Sequence, residues 1–210
     1  MTPPGLFISI EGGEGAGKST VIAALEQALA AAGREVVLTR EPGGTAEGEA
    51  IRQLLLDPGN HLVPQAELLL MFASRAHLVR QLIFPALARG AAVVADRFTD
   101  ASFAYQGGGR GLDMGLIAEL ERAAVGIKPD LTFLLDVGVA QGLERARARG
   151  GEPDRIEREQ QDFFERVRST YLARARAEPG RFRVIDASEP AAAVQAAVTR
   201  ALAEWLGQPR

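Results

Sequence analysis

With 210 residues, 27 acidic against 24 basic side chains, a net charge of −3 and 47% hydrophobic content, the chain suits one medium globular domain, 1–210. That charge excludes a broad nucleic-acid or anionic-membrane surface, and the absence of cysteine excludes disulfides, thiolate metal sites and cysteine nucleophiles. The start, MTPPGLFISIEGG, lacks the basic head and long apolar stretch of a signal peptide, and no apolar run reaches the roughly 18 residues of a membrane span, so a cytoplasmic protein with no membrane and no nucleic-acid partner is expected.

Short apolar runs alternate with helical stretches along the chain. LFISIE, Leu6 to Glu11, reads as a buried strand; a glycine loop follows, then a helix from about Lys18 to Ala32 stopped by Gly33. EVVLT, Glu35 to Thr39, is the second strand, REPGGT a turn-rich loop and Ala46 to Leu56 a helix. Gln65 to Arg89 has a helical pattern that Pro85 must kink or interrupt. A third strand, Ala91 to Asp96, precedes a glycine-rich segment and a helix near Asp113 to Val125. Leu131 to Asp136 is the fourth strand; after an arginine-rich stretch come a helix from about Glu157 to Ala177, a fifth strand from Phe182 to Asp186, and a closing helix from Pro190 to Leu206. Apolar strands separated by helices predict an α/β fold: a five-stranded parallel sheet covered by helices on both faces.

The glycine loop has a specific chemistry. Gly12 to Ser19, GGEGAGKS, satisfies GxxxxGK[ST], the phosphate loop of the P-loop NTPase fold. Exposed backbone N–H groups surround a phosphate chain, the lysine neutralises its outer oxygens and the hydroxyl ligates magnesium. A dinucleotide fingerprint fails, because counting GxGxxG from Gly13 puts Lys18 where the last glycine belongs. The chain has only two lysines, Lys18 and Lys128, so a chance lysine here is improbable. Asp96, ending the third strand, is the candidate magnesium carboxylate, with a strand-end turn cap as the alternative. Arg97 suits a second phosphate, with a surface salt bridge as its alternative. No NKxD guanine-selecting motif accompanies the loop, which disfavours a nucleotide-dependent switch.

The segments EGGEGAGKST, TREPGGT, LLLMFASR, DRFTDASFAYQGGGRGL, KPDLTFLLD and RARARGGEPDRIE resemble, in order and spacing, those of bacterial thymidylate kinases. The resemblance implies transfer of the γ-phosphoryl group of ATP to dTMP, with magnesium and usually in a homodimer. It places Gly12, Gly13, Glu14, Gly15, Ala16, Gly17, Lys18, Ser19 and Thr20 around ATP, with Ser19 and Asp96 toward the metal. Glu14 matches a loop carboxylate that lies near the acceptor sugar's 3′-hydroxyl in the family, and Arg97, with Arg40, matches the ligands of the acceptor phosphate. Arg75 matches the arginine facing the thymine carbonyl. Ser102 and Gln106 resemble polar partners of the base edge, and Tyr105 the ring that crowds the sugar 2′ position. Many relatives stack an aromatic on thymine four residues before that arginine; here Met71 stands there and Phe72 follows it, and either lies on the helix face of Arg75.

The family divides by whether its catalytic arginine sits in the phosphate loop or in a lid. The loop position is Gly15, so the arginine is expected from the lid at about 144–156, as Arg147, Arg149 or Arg155. Charge pattern alone equally suits a solvated helical face. His61 and His77 have no partner motif and support no metal reading.

Overall fold

The computed structural model describes residues 4–150 and 152–207; of the expected lid, Gly151 lies outside the described residues. Five strands form one parallel sheet: β1 (Leu6–Gly12), β2 (Val36–Arg40), β3 (Ala92–Asp96), β4 (Leu131–Asp136) and β5 (Phe182–Asp186). Their order is β2-β3-β1-β4-β5. β1 is central, and the chain leaves it first toward β2 and β3 and later toward β4 and β5. The crevice beyond its carboxyl end is therefore the switch point where such sheets bind ligands.

Both faces of β1 are covered. Leu6, Ile8 and Ile10 pack with Val21, Leu25 and Leu29 of α1 (Lys18–Ala31) and with Val194, Val198 and Leu202 of α9 (Ala191–Leu206). Both helices carry an i, i+4, i+8 apolar stripe, which is why they bury one face each. On the other side Phe7, Val93 and Ala95 meet Leu68 and Phe72 of α3 (Pro64–Leu78), and Phe7 meets Phe98 edge-to-face at 4.8 Å. β2 and β5 are the sheet edges and are only partly buried.

The structure adds to or changes the sequence expectations at three places. The interruption expected at Pro85 takes the form of a wider π-type turn, Val79–Ile83, between α3 and α4 (Phe84–Ala88), in which Pro85 occupies the first turn, where a missing N–H costs least. The glycine-rich segment is helical, as α5 (Thr99–Ser102) and a π-type stretch, Phe103–Gly109, because a Cβ on Gly107 would meet the Met114 sulfur at 2.6 Å and one on Gly109 the Phe163 ring. Close packing overrides the low helix propensity of glycine there. The arginine-rich stretch begins as a helix, α7 (Val139–Ala148), whereas the helix expected from Glu157 starts later as α8 (Gln161–Ala177). Between them Asp154 accepts the N–H groups of Ile156 and Glu157 in a side-chain-held turn. The remaining helices are α2 (Ala46–Leu56), capped by Thr45, and α6 (Met114–Leu120), capped by Asp113.

Candidate active site

β1 delivers the glycine loop into the crevice. Gly12, Gly15 and Gly17 all have positive φ, which coils the backbone so that Gly17 caps α1 without a side-chain acceptor. The first turn of α1 holds no acidic residue, leaving its N–H groups and dipole open to an anion. Lys18 Nζ folds back to the carbonyls of Gly12 and Gly13, at 3.3 and 3.2 Å. Burial, and then the charge of Arg97, hold its pKa below the ordinary lysine value. Ala16 is buried beneath the loop, while Ser19 and Thr20 are exposed on the first turn of α1.

The end of β3 lies alongside. In register, Ile10 stands beside Asp96, and Arg40 of β2 beside Asp96 on the other flank. Arg97 takes φ 69°. Its guanidinium donates to the Gly12 carbonyl at 2.8 Å and the Glu14 carboxylate at 2.7 Å, and lies over the Tyr105 ring. The Tyr105 hydroxyl donates to the same Glu14 oxygen at 3.0 Å. Burial works to raise the Glu14 pKa, but Arg97, Lys18, the Tyr105 hydroxyl and Arg149 together hold it below the usual carboxylate value. Behind this group Glu11, fully buried, accepts the Phe98 N–H and the Tyr171 hydroxyl, both at 2.7 Å. Burial and neighbouring Asp100 push its pKa up to about 8.

A crevice of about 250 Å³ extends from Glu14 and Lys18 toward α3. Arg40 and Arg52 line its mouth; Arg40 pairs with Glu49 at 3.0 Å and Arg52 donates to the Pro42 carbonyl at 2.8 Å. Arg75, Ser102, Tyr105 and Gln106 line its deeper wall. Arg75, only 2% exposed, donates to Glu41 at 2.6 Å, to the Ser102 hydroxyl at 3.1 Å and to the Phe98 carbonyl at 3.3 Å. Burial pushes the Glu41 pKa up to about 7 against the pull of Arg75. Met71 lines the crevice, whereas Phe72 does not: its ring lies in the core, 4.7 Å from the Arg75 guanidinium. That corrects the expectation that either side chain could cover a base.

The lid arginines separate by burial. Arg155 is 12% exposed and is bound to the Leu55 carbonyl and to Glu67, both at 2.7 Å. Arg149 is 62% exposed, touches Glu157 at 3.6 Å and lines the crevice. Arg147 lines, with Arg149 and Glu14, the neighbouring cavity between α7 and the loop. Gly15 sits against α7: a Cβ there would meet the carbonyl carbon of Gly142 at 2.8 Å, and a Cβ on Gly142 would meet the Glu14 backbone carbonyl oxygen at 2.5 Å.

The family model for thymidylate kinase matches residues 10–198. A thymidylate kinase of Methylococcus capsulatus is 58% identical over 93% of each chain, and one of Chromohalobacter salexigens is 57% identical over 96% of this chain and 99% of its own. The chain belongs to the thymidylate kinase family. The crystal structure of the thymidylate kinase from Ehrlichia chaffeensis superposes with a TM-score of 0.77 at 33% identity, over 96% of this chain and 99% of that one. As a thymidylate kinase the chain is a nucleoside monophosphate kinase, an enzyme of phosphoryl transfer.

For a thymidylate kinase the crevice brings together Glu14, Lys18, Arg40, Met71, Arg75, Asp96, Arg97, Ser102, Tyr105, Gln106 and Arg149. Of the expected acceptor-site and lid residues it leaves out Phe72, Arg147 and Arg155. Among the described residues the buried Asp96 Oδ1 has no hydrogen-bond partner, and Asp96 and Ser19 line one adjoining cleft. One carboxylate, one hydroxyl and room for phosphate oxygens fit magnesium, which retains water and uses few protein ligands. Four residues of this thymidylate kinase are not legible as site residues in the sequence: Glu11, Glu41, Arg52 and Glu67. Glu11 in β1 and Glu67 in α3 read as solvated faces of their elements, Glu41 as a polar residue of a turn, and Arg52 carries no motif; only the buried setting of the three acids gives them away.

Proposed function

We propose that this thymidylate kinase holds ATP on Gly12 to Thr20 and dTMP in the crevice, with residues 144–156 as the lid, magnesium at Ser19 and Asp96, and Arg149 as the lid's catalytic arginine. The observation that carries this reading is a single crevice running from the phosphate loop, at Glu14 and Lys18, to a buried polar wall at Arg75, Ser102 and Gln106.

Phosphoryl transfer asks the protein for alignment and charge more than for covalent work. Lys18, on exchanging its loop carbonyls for phosphate oxygens, neutralises the donor side. Arg97, with Arg40 and Arg52 at the mouth, holds the acceptor phosphate. Ser19 and Asp96 would hold magnesium on that side, and the ion would supply charge neutralisation for the donor phosphates. Glu14 orients Arg97 and Tyr105 together and offers its remaining oxygen toward the sugar; Tyr105 crowds the 2′ position, selecting deoxyribose. Met71 covers the base, and Arg149 reaches the γ-phosphate when the lid excludes water.

The enzyme is proposed to act in the cytoplasm as a homodimer. Exposed Leu54 on α2 and Leu69 on α3 lie on helices that pack together, a face a second copy would cover. Among the described residues no helix is long and apolar enough to cross a membrane. The test is a screen of nucleoside monophosphates, nucleosides and water as acceptors with magnesium ATP. dTDP as the dominant product supports the reading. Faster transfer to another monophosphate, or release of phosphate to water in the presence of dTMP, refutes it.

A further inference from the structure

Glu67 stands in the first turn of α3, where an acidic side chain ordinarily faces water, yet it is 1% exposed. Its two oxygens collect four hydrogen bonds. Oε1 accepts the Gln106 amide at 2.9 Å and Arg110 Nε at 3.3 Å; Oε2 accepts Arg110 Nη2 at 3.1 Å and Arg155 Nη2 at 2.7 Å. Burial raises its pKa, but Gln106, Arg110 and Arg155 outweigh burial and hold it below the usual value, so the group is a carboxylate at neutral pH.

An ionised carboxylate only accepts. The half of the Gln106 amide that faces Glu67 is therefore its NH₂. Gln106 is itself 1% exposed and stands on the crevice wall, so the half left for a ligand is the carbonyl oxygen, an acceptor. Arg75, on the same wall, has only donors to offer. The wall thus presents a donor and an acceptor side by side. Thymine answers with the C4 carbonyl and the adjacent N3–H. Cytosine presents an amino group and a bare N3, opposed at both places.

We infer that Glu67 is the positioning residue that sets base specificity: by fixing the Gln106 amide with its oxygen toward the crevice, it makes the site demand an N3–H. This rests on the proposed reading of the crevice as the nucleobase site. Without Glu67 the amide is free to turn over and to donate to a bare N3 instead.

The experiment compares kcat/KM for dTMP and for dCMP in the parent, Glu67→Gln, Gln106→Leu and the double variant, with melting curves for each. Glu67→Gln is expected to lower the dTMP over dCMP ratio at least about tenfold, through KM, with kcat for dTMP within about threefold of the parent. In the Gln106→Leu background the same substitution should leave the ratio unchanged, since the coupling runs through that amide. Full parental discrimination in a folded Glu67→Gln variant, or an equal effect in both backgrounds, overturns the inference. A parent that accepts dCMP as readily as dTMP overturns the base-site reading itself and this inference with it. Labelled-glutamine NMR of the parent supplies a test that needs no folded Glu67 variant. On dTMP binding the side-chain carbonyl carbon of Gln106, assigned by its loss in Gln106→Leu, should shift while its NH₂ stays in place, and the reverse pattern overturns the inference.

Discussion

Replacing Gly15 by alanine adds one methyl group at the contact between the phosphate loop and α7. The backbone there has φ 67°, and the added Cβ would lie 2.8 Å from the carbonyl carbon of Gly142 and 3.1 Å from the Arg145 Cβ. A left-handed residue with a side chain costs about 1–2 kcal/mol, which in a chain of this size lowers Tm by roughly 2–8 °C. Carbon atoms settle at about 3.5 Å or more, so α7 must retreat by at least about 0.7 Å. Arg145 cannot absorb that movement alone, because it ties α7 to the carbonyls of Ala187 and Ser188 at 2.6 and 2.9 Å. The displacement passes along the helix to Arg149 at its end, and a misplacement near 1 Å costs on the order of 10²-fold in rate. Steady-state kinetics and a melting curve read both effects: kcat should fall by roughly 10- to 100-fold, with KM for dTMP within about twofold, since the base wall lies across the crevice. Gly138, at the start of the same helix, has open space at its Cβ and serves as the control. Parental kcat and Tm in Gly15→Ala would refute the loop-to-lid contact and the arginine placement built on it.

Three further outcomes are expected. Lys18→Ala should abolish turnover, since Lys128 is the only other lysine and sits in ion pairs with Glu121 and Glu178; near-normal phosphorylation by a folded variant ends the phosphate-loop assignment. Arg149→Ala should lower kcat by about 10³ or more at unchanged Tm. Arg155→Ala, by breaking a buried pair, should lower Tm by at least about 5 °C, and the opposite pattern in the two variants would reassign the lid arginine. Stability should fall as pH rises from about 5 to 8, because Glu11 and Glu41, with pKa values pushed up to about 8 and about 7, bind protons in the folded state that the unfolded chain has released. Between pH 7 and 8 Glu11 carries the larger share of the remaining dependence, so Glu11→Gln should flatten Tm against pH in that window; an unchanged slope refutes the assignment.

The frame of the enzyme is legible because its signals are local. Apolar runs place all five strands to within a residue or so, and the loop motif places Lys18 and Ser19. What escapes local reading is what tertiary contact decides. Glycines 107 to 109, a segment to which the sequence pattern assigns no element, are helical, and their missing side chains admit Met114, Thr170 and Phe163. Arg155, a candidate catalytic arginine of the lid with a solvated face as its alternative, is a buried anchor, and its partner Glu67 is 88 residues away, beyond any local pattern. Met71 and Phe72 share a helix face in any sequence-based view, and only the position of the sheet beneath α3 sends one to the crevice and the other to the core.

The backbone ladder of the sheet does not stop where the strands do. Arg97 N–H donates to the Ile10 carbonyl and Glu41 N–H to that of Asp96, each at 2.9 Å, so three neighbouring rails stay pinned where β1 carries Glu11 and where β2 and β3 hand over to Glu41 and Arg97. Slippage between such rails comes only in whole residues, each of which would turn the side chains to the opposite face. The floor of the crevice is thereby a fixture with no fine adjustment, while its roof, from the end of α7 to the turn at Asp154, hangs on side chains. Heat, or a substitution within residues 148–154 that leaves the Glu67 to Gln106 contact in place, should therefore slow this enzyme well before it blurs which base it accepts.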